Sequence, residues 1–276
     1  MPNLDLQRLE LSTWRKIALG SWGWGGDPSV YGTLELNATR LLERRKRYAE
    51  RTGKKAPTVT AIVAAATARV LHEHPQLNGL IRFGRIYLRK SVTLFVQAAV
   101  DEEGRELSGV SIRDAEKKSL EDLVDEMGTR VRAIREDRDP NFKKVKGSFR
   151  RIPTLLIRPL LNLIAFLIYS LNLDLTGLGL QRDLFGSVMI TSIGTLGLDQ
   201  AFAPLVPYSR VPLLLAVGAV RDAPAVIDGQ LAVAPLFKIC ATLDHRFVDG
   251  VYAAKMAKTM RRLLETDEGL ESLGLG

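Results

Sequence analysis

The sequence predicts an α+β fold in which a mixed sheet carries helices on its face. Two observations carry this. Apolar residues repeat at helical spacing in some stretches and alternate at strand spacing in others, without the strict βαβα order of a doubly wound sheet. Moreover, no Gly-x-Gly-x-x-Gly follows a strand-like run, which argues against a dinucleotide-binding architecture.

Taken in order, Asn37 or Thr39 is placed to cap a helix through Leu41, Leu42 and Tyr48, ended near Thr52 by Gly53. Thr60 opens a second, alanine-rich helix, 61–71, with Ile62, Val63, Ala66 and Val70 on one face and Pro75 beyond its end. His72 and His74 fall in its last turn, where an imidazolium favours the helix dipole, and are read as structural or solvent-facing. Stretches 91–100 and 188–192 are rich in β-branched residues and read as strands. Between them, Leu120, Leu123, Val124, Met127, Val131 and Ile134 stripe an amphipathic helix over 119–135. Stretches 211–220 and 230–243 read as buried strands joined by the turn Asp228-Gly229, and a last helix is expected over 251–265.

A chain of 276 residues, 46% hydrophobic, can bury a large core. With no internal repeat and no long Pro/Gly/Ser linker, residues 1–276 are read as one domain. The opening residues contain Asp5 and Glu10 and no apolar core of a secretory signal, so the expected location is cytoplasmic. Cys240 is the one cysteine, which rules out an internal disulfide; within a strand-like run it reads as a small buried hydrophobe. No His/Cys cluster has metal-ligand spacing, and no metal or redox cofactor is expected. The net charge of +8 could serve nucleic acid, anionic lipid or the phosphates of a cofactor. No nucleic-acid fold signature accompanies the basic blocks 40–55 and 143–158, and nucleic acid is not an expected partner.

The most informative run is Asp244-His245-Arg246-Phe247-Val248-Asp249-Gly250. An imidazole with a carboxylate close by can be locked into one tautomer, leaving the other ring nitrogen to take a proton from an alcohol or thiol. By itself the match is moderate evidence, since His-x-x-x-Asp-Gly also arises by chance. Upstream lie Gly186-Ser187-Val188-Met189-Ile190-Thr191-Ser192-Ile193-Gly194, Pro212, Gly218 and Asp228-Gly229. Together these closely resemble the catalytic domain of the 2-oxo acid dehydrogenase dihydrolipoyl acyltransferases, whose superfamily includes chloramphenicol acetyltransferase. Weaker counterparts lie in Arg15-Lys16-Ile17-Ala18, Leu34 to Thr39, Pro75 to Asn78 and Ser119-Leu120, so the resemblance covers about residues 12–138 and 186–265.

The resemblance implies a chloramphenicol acetyltransferase-like fold working as a homotrimer with sites between subunits. It implies a CoA-dependent acyltransferase moving an acyl group between coenzyme A, bound as a substrate, and a thiol or hydroxyl acceptor. His245 corresponds to the general base and Thr191 to the hydroxyl that donates to the oxyanion; the two would come from neighbouring chains. Asp249 matches the box carboxylate that holds the histidine loop in shape, with Arg15 as candidate ionic partner; Asp244 and Arg246 take positioning roles and Gly250 allows the turn into the last helix. Members that serve multienzyme complexes usually carry a lipoyl domain and a subunit-binding domain, neither of which is in this sequence. Ser29 stands where they commonly have histidine, the run Leu107 to Ser111 lacks their proline, and the tail 268–276 lacks an apolar anchor for cages.

The interval 141–185 departs most from the family. Lys143 to Arg158 carries six basic residues and no acid, and Pro159 to Leu173 is fifteen residues without a charge. A bilayer-spanning helix needs about 20 apolar residues. This run is shorter and interrupted by Asn162, Ser170 and Asn172, leaving a buried or intersubunit helix, a helix lying on anionic membrane, or a lid. The rival to an enzyme is a catalytically silent trimeric scaffold that docks to a membrane surface or partner through 143–173.

Overall fold

A computed structural model describes residues 3–10, 27–99, 107–136, 152–227 and 229–276. Arg15, Asp228 and the basic residues from Lys143 to Arg151 lie outside them. The main sheet has seven strands: β2 (Ser29–Asn37), β5 (Leu94–Ala99), β6 (Leu107–Ile112), β7 (Val188–Ser192), β8 (Leu213–Val217), β9 (Arg221–Ile227) and β10 (Gln230–Asp244), in the order β2-β10-β8-β7-β5-β6 with β9 on the first half of β10. Pairs β5–β7 and β7–β8 are parallel and the others antiparallel, so the sheet is mixed as expected. A small antiparallel sheet, β1 (Leu6–Arg8), β4 (Arg85–Arg89) and β3 (Gly79–Arg82), flanks it.

Strand alternation divides the main sheet into two faces. Val188, Ile190, Leu213, Leu215, Val217 and Ile239 join the large core under helices α1 (Thr39–Thr52), α2 (Val59–Glu73), α3 (Leu120–Arg135) and α5 (Gly250–Glu265). The intervening Met189, Leu214, Ala216 and Cys240 face the other way, onto segments around Leu184 and Ala201 to Val206. Helix α2 is buried nearly all round, and its alanines let it lie close on its neighbours.

Local chemistry sets most helix ends. Thr58 Oγ1 accepts from Ala61 N at 3.1 Å, so α2 starts one residue before the Thr60 expected to open it. Ser119 Oγ accepts from Asp122 N at 3.1 Å, and Glu121 and Asp122 sit where the α3 dipole is positive. Gly53 closes α1 at φ 64°, in the left-handed region that glycine occupies at little cost. Ala38 is the residue before α1, while the Asn37 carboxamide accepts from Thr39 N at 2.9 Å. His74 ends α2, and its Nε2 meets Thr259 Oγ1 of α5 at 2.9 Å, the structural role expected for it.

The C-terminal hairpin differs from the sequence expectation. Gly229 does not join the strand at 211–220 to β10; it joins an additional strand, β9, whose Ile227 pairs Gln230 and whose Arg221 pairs Leu236. β8 pairs with the later half of β10. Asp222 and Pro224 hid β9 in the sequence, since both disfavour strands, but an edge position tolerates proline.

In the atypical interval, Thr154–Ala165 forms helix α4, continued by a π-type turn over Phe166–Ser170. Its inner face, Ala165, Ile168 and Tyr169, packs on Leu4 and Leu80 in a core separate from the main one. Among the described residues, no helix is long and apolar enough to cross a membrane. Nearby, the β3–β4 hairpin turns through Phe83 and Gly84, both at positive φ (47° and 66°), the signature of a type I′ turn. A bulky residue in the left-handed region costs about 1–2 kcal/mol, and Asn tolerates it better. Phe83→Asn should therefore raise the unfolding free energy by about 0.5 kcal/mol, net of the lost ring contact with Phe166; urea denaturation of both proteins checks this.

Candidate active site

The latter half of β10 is gripped on both sides. β2 pairs with it from Leu236 to Asp244 and β8 from Ile239 to Leu243. Past the last sheet pairs, Asp244 N donates to Pro212 O and His245 N to Pro28 O, each at 2.9 Å. The chain then turns: Phe247 N and Val248 N both donate to Asp244 O, at 2.9 and 2.8 Å. Phe247 and Val248 are buried and anchor this turn in the main core. Gly79 lies under the Phe247 ring, where a Cβ would come within 2.4 Å of Tyr87 O.

Inside the turn, half-buried His245 places Nδ1 3.2 Å from Val248 O. A carbonyl oxygen only accepts, so Nδ1 carries a proton, and in the neutral ring Nε2 is the nitrogen with the lone pair. The tautomer is thus held by a main-chain carbonyl rather than by the nearby carboxylate that the motif suggested. Asp249 caps α5 instead, its Oδ1 accepting from Tyr252 N at 3.0 Å. Its expected partner Arg15 is outside the described residues.

Buried Asp244 receives three bonds from Arg246: from N and Nε at 3.0 Å and from Nη2 at 2.7 Å. This bidentate pair fixes the turn and raises the Arg246 pKa, chiefly through the hydrogen bond to Asp244. Arg210 is shifted the other way, by burial first and by the charge of Arg246 second. Gly250 begins α5 without a positive φ, and a Cβ there would meet nothing within 4 Å. Gly250 thus stands at a plain helix start.

Thr191 sits near the end of β7, half-buried and beside Ala216, which in turn pairs with Cys240. Its place on the sheet is fixed by close backbone approaches. A Cβ on Gly186 would lie 2.4 Å from Thr93 O, one on Gly194 2.7 Å from Gly218 O, and one on Gly218 2.2 Å from Asp199 O. Gly194 lets the ends of β7 and β8 lie close, Gly186 lets the entry to β7 lie on Thr93 ahead of β5, and Gly218 admits the loop at Asp199. His245 follows Cys240 by five residues, so it is two strands across and roughly 19 Å along the sheet diagonal from Thr191, at ~3.3 Å per residue and ~4.8 Å per strand. Thr191 shares the face of Cys240 and Thr242, whereas His245 lies beyond the last paired residue, in the turn that follows β10. One chain therefore brings Asp244, His245, Arg246 and Asp249 together but not Thr191.

On the Leu243 face of the sheet, an apolar groove of about 250 Å³ runs between the β2–β10 pair and α5. Its walls include Gly32, Leu34, Leu243, Ala253, Met256 and Met260. Val248 O and Pro28 O escaped sequence reasoning because main-chain carbonyls carry no residue signature. Among the described residues, no group of three or more His, Cys, Asp or Glu could hold a metal ion.

Comparison with known proteins agrees with this fold. The chain is 21% identical over 243 residues to the lipoamide acyltransferase component of the branched-chain alpha-keto acid dehydrogenase complex of Bacillus subtilis, covering 87% of this chain and 47% of that protein. It is 36% identical over 86 residues to the corresponding component of Pseudomonas putida, 31% of this chain and 20% of the relative. The chain thus spans less than half the length of either relative. Among solved structures, a probable dihydrolipoamide acetyltransferase from Listeria monocytogenes superposes with TM-score 0.63 at 17% identity, covering 95% of this chain and 96% of that one. The Azotobacter vinelandii dihydrolipoamide acetyltransferase gives 0.64 at 21%, covering 98% and 94%. A chloramphenicol acetyltransferase gives 0.55 at 16%, covering 95% and 100%. The fold is therefore the chloramphenicol acetyltransferase-like one. The model of the 2-oxoacid dehydrogenases acyltransferase (catalytic domain) matches residues 24–149 and 182–271, more than half of the sequence, and the chain belongs to that family.

Proposed function

We propose that this protein is a CoA-dependent acyltransferase that moves an acyl group between coenzyme A and a thiol or hydroxyl acceptor. The observation that carries this is the tautomer of His245: with Nδ1 bonded to Val248 O, Nε2 is the basic nitrogen. Nε2 takes the proton of the acceptor as its sulfur or oxygen attacks the thioester carbonyl. The carbonyl oxygen becomes an oxyanion, to which the Thr191 hydroxyl donates. As the intermediate collapses, the carbon–sulfur bond to coenzyme A breaks and the departing thiolate regains the proton from Nε2.

Since Thr191 and His245 of one chain stand roughly 19 Å apart, at ~3.3 Å per residue and ~4.8 Å per strand, the active site is built between copies, Thr191 of one facing His245 of the next around a homotrimer. The Azotobacter vinelandii enzyme has been examined for catalytic roles of a serine, a histidine and an asparagine, the last two four residues apart. His245 and Asp249 have that spacing, which supports a role for both in the proposed site. The apolar groove beside Leu243 and Ala253 suits a methylene chain. Membership of the family favours this reading over a silent scaffold.

His245→Ala should reduce acyl-CoA-dependent thiol release by about 10²–10⁴-fold with the fold intact by circular dichroism, whereas activity equal to the parent would reject the assignment. Thr191→Val should lose about 10²–10³-fold and Thr191→Ser keep most of the rate. Refolding the two inactive chains together at equal ratio should restore roughly a quarter of the parental activity if sites are shared in a closed ring; no recovery from a folded trimer would refute the shared site. Asp249→Ala should lower stability by about 1 kcal/mol in denaturant melts, and Asp249→Asn, which still caps α5, by much less.

A further inference from the structure

We propose that the outer face of α4 and the Phe83 turn form a platform that seats the protein on an anionic phospholipid bilayer. This segment belongs to the interval 150–181, which the family model does not match. Helix α4 is apolar on two sides. While Ala165, Ile168 and Tyr169 pack inward, Leu155 (86% exposed), Leu156, Leu163 and Phe166 face out. Spacings of eight and three residues put Leu155, Leu163 and Phe166 on one stripe.

A distant part of the chain extends the same surface. Phe83, 63% exposed, sets its ring edge-on to Phe166, with centroids 6.3 Å apart. It does so from a left-handed turn position that a phenylalanine occupies only under strain. The edge of Phe166 and the guanidinium of Arg82 leave most of the ring in solvent, so the strain displays an apolar surface, which points to a surface that the ring enters.

Charge selects the occupant. Arg82 lies against the Phe83 ring, its guanidinium carbon 5.8 Å from the centroid; Arg85 follows the turn, and exposed Arg158 lies on α4. From 140 to 173 the sequence contains no Asp or Glu, and Asp174 is the first acid after it. A two-fold contact with a second copy would set these arginines against each other, whereas phosphate head groups would neutralise them. At about 25 Å including the π-type turn, with Pro159 and Asn162 inside it, the helical segment fits an in-plane position rather than a crossing one.

The test is flotation of the purified full chain with vesicles of phosphatidylcholine alone or mixed with phosphatidylglycerol. The expected result is binding to the anionic vesicles that falls as salt rises. Leu155→Ser combined with Leu163→Ser should weaken it roughly tenfold, since exposed leucines lose only their inserted area. Phe83→Asn and Arg158→Gln should weaken it too, although the former stabilises the fold, and His245→Ala should float like the parent. No binding to anionic vesicles, or equal binding by parent and serine variant, would overturn the proposal. So would an assembly that the serine variant dissolves without any vesicle binding, because a second copy would then cover the face.

Discussion

The grip on the end of β10 is the constraint on which the rest of the candidate site depends. Pairing with β2 and β8 carries the strand to Asp244, and the carbonyls of Pro212 and Pro28 hold the amides of Asp244 and His245. With that backbone fixed, the Asp244 carbonyl can accept from Phe247 and Val248, and the turn so formed aims Val248 O at His245 Nδ1. Each bond is modest by itself, about 1 kcal/mol net. Together they set His245 Nδ1 against the Val248 carbonyl, the preorganisation that the proposed role of general base calls for.

The charged members of the motif serve the same end from outside the ring. Asp244 is spent on Arg246 and Asp249 caps α5, so the carboxylates shape the loop and the start of the helix behind it. The Phe247 anchor then ties the loop to the main core through the gap left by Gly79. Local order at the histidine is in this way drawn from packing that spans the chain.

Much of this was legible in the sequence wherever a side chain acts on its own neighbourhood. Ser119 and Gly53 marked helix ends, alternation marked β7, and Cys240 read correctly as buried. The glycines at 186, 194 and 218 were legible as a pattern, but the contacts that demand them belong to tertiary structure. What stayed hidden depended on main-chain groups or sheet position: Val248 O has no letter of its own, and β9 carries a proline that only its edge position permits. For α4, composition gave the helix-sized apolar run, yet only packing against Leu4 and Leu80 separated the covered side from the open one.

The nine paired positions between β2 and β10 have a further consequence. Side chains alternate between faces, so slipping β10 by one residue would exchange its core and outer residues and move the His245 amide off the Pro28 carbonyl. The histidine is therefore indexed to the hydrophobic pattern of the strand that delivers it. Inserted or deleted residues in this region must be absorbed before the pairing begins, around Gly229, leaving the distance from Leu236 to His245 fixed.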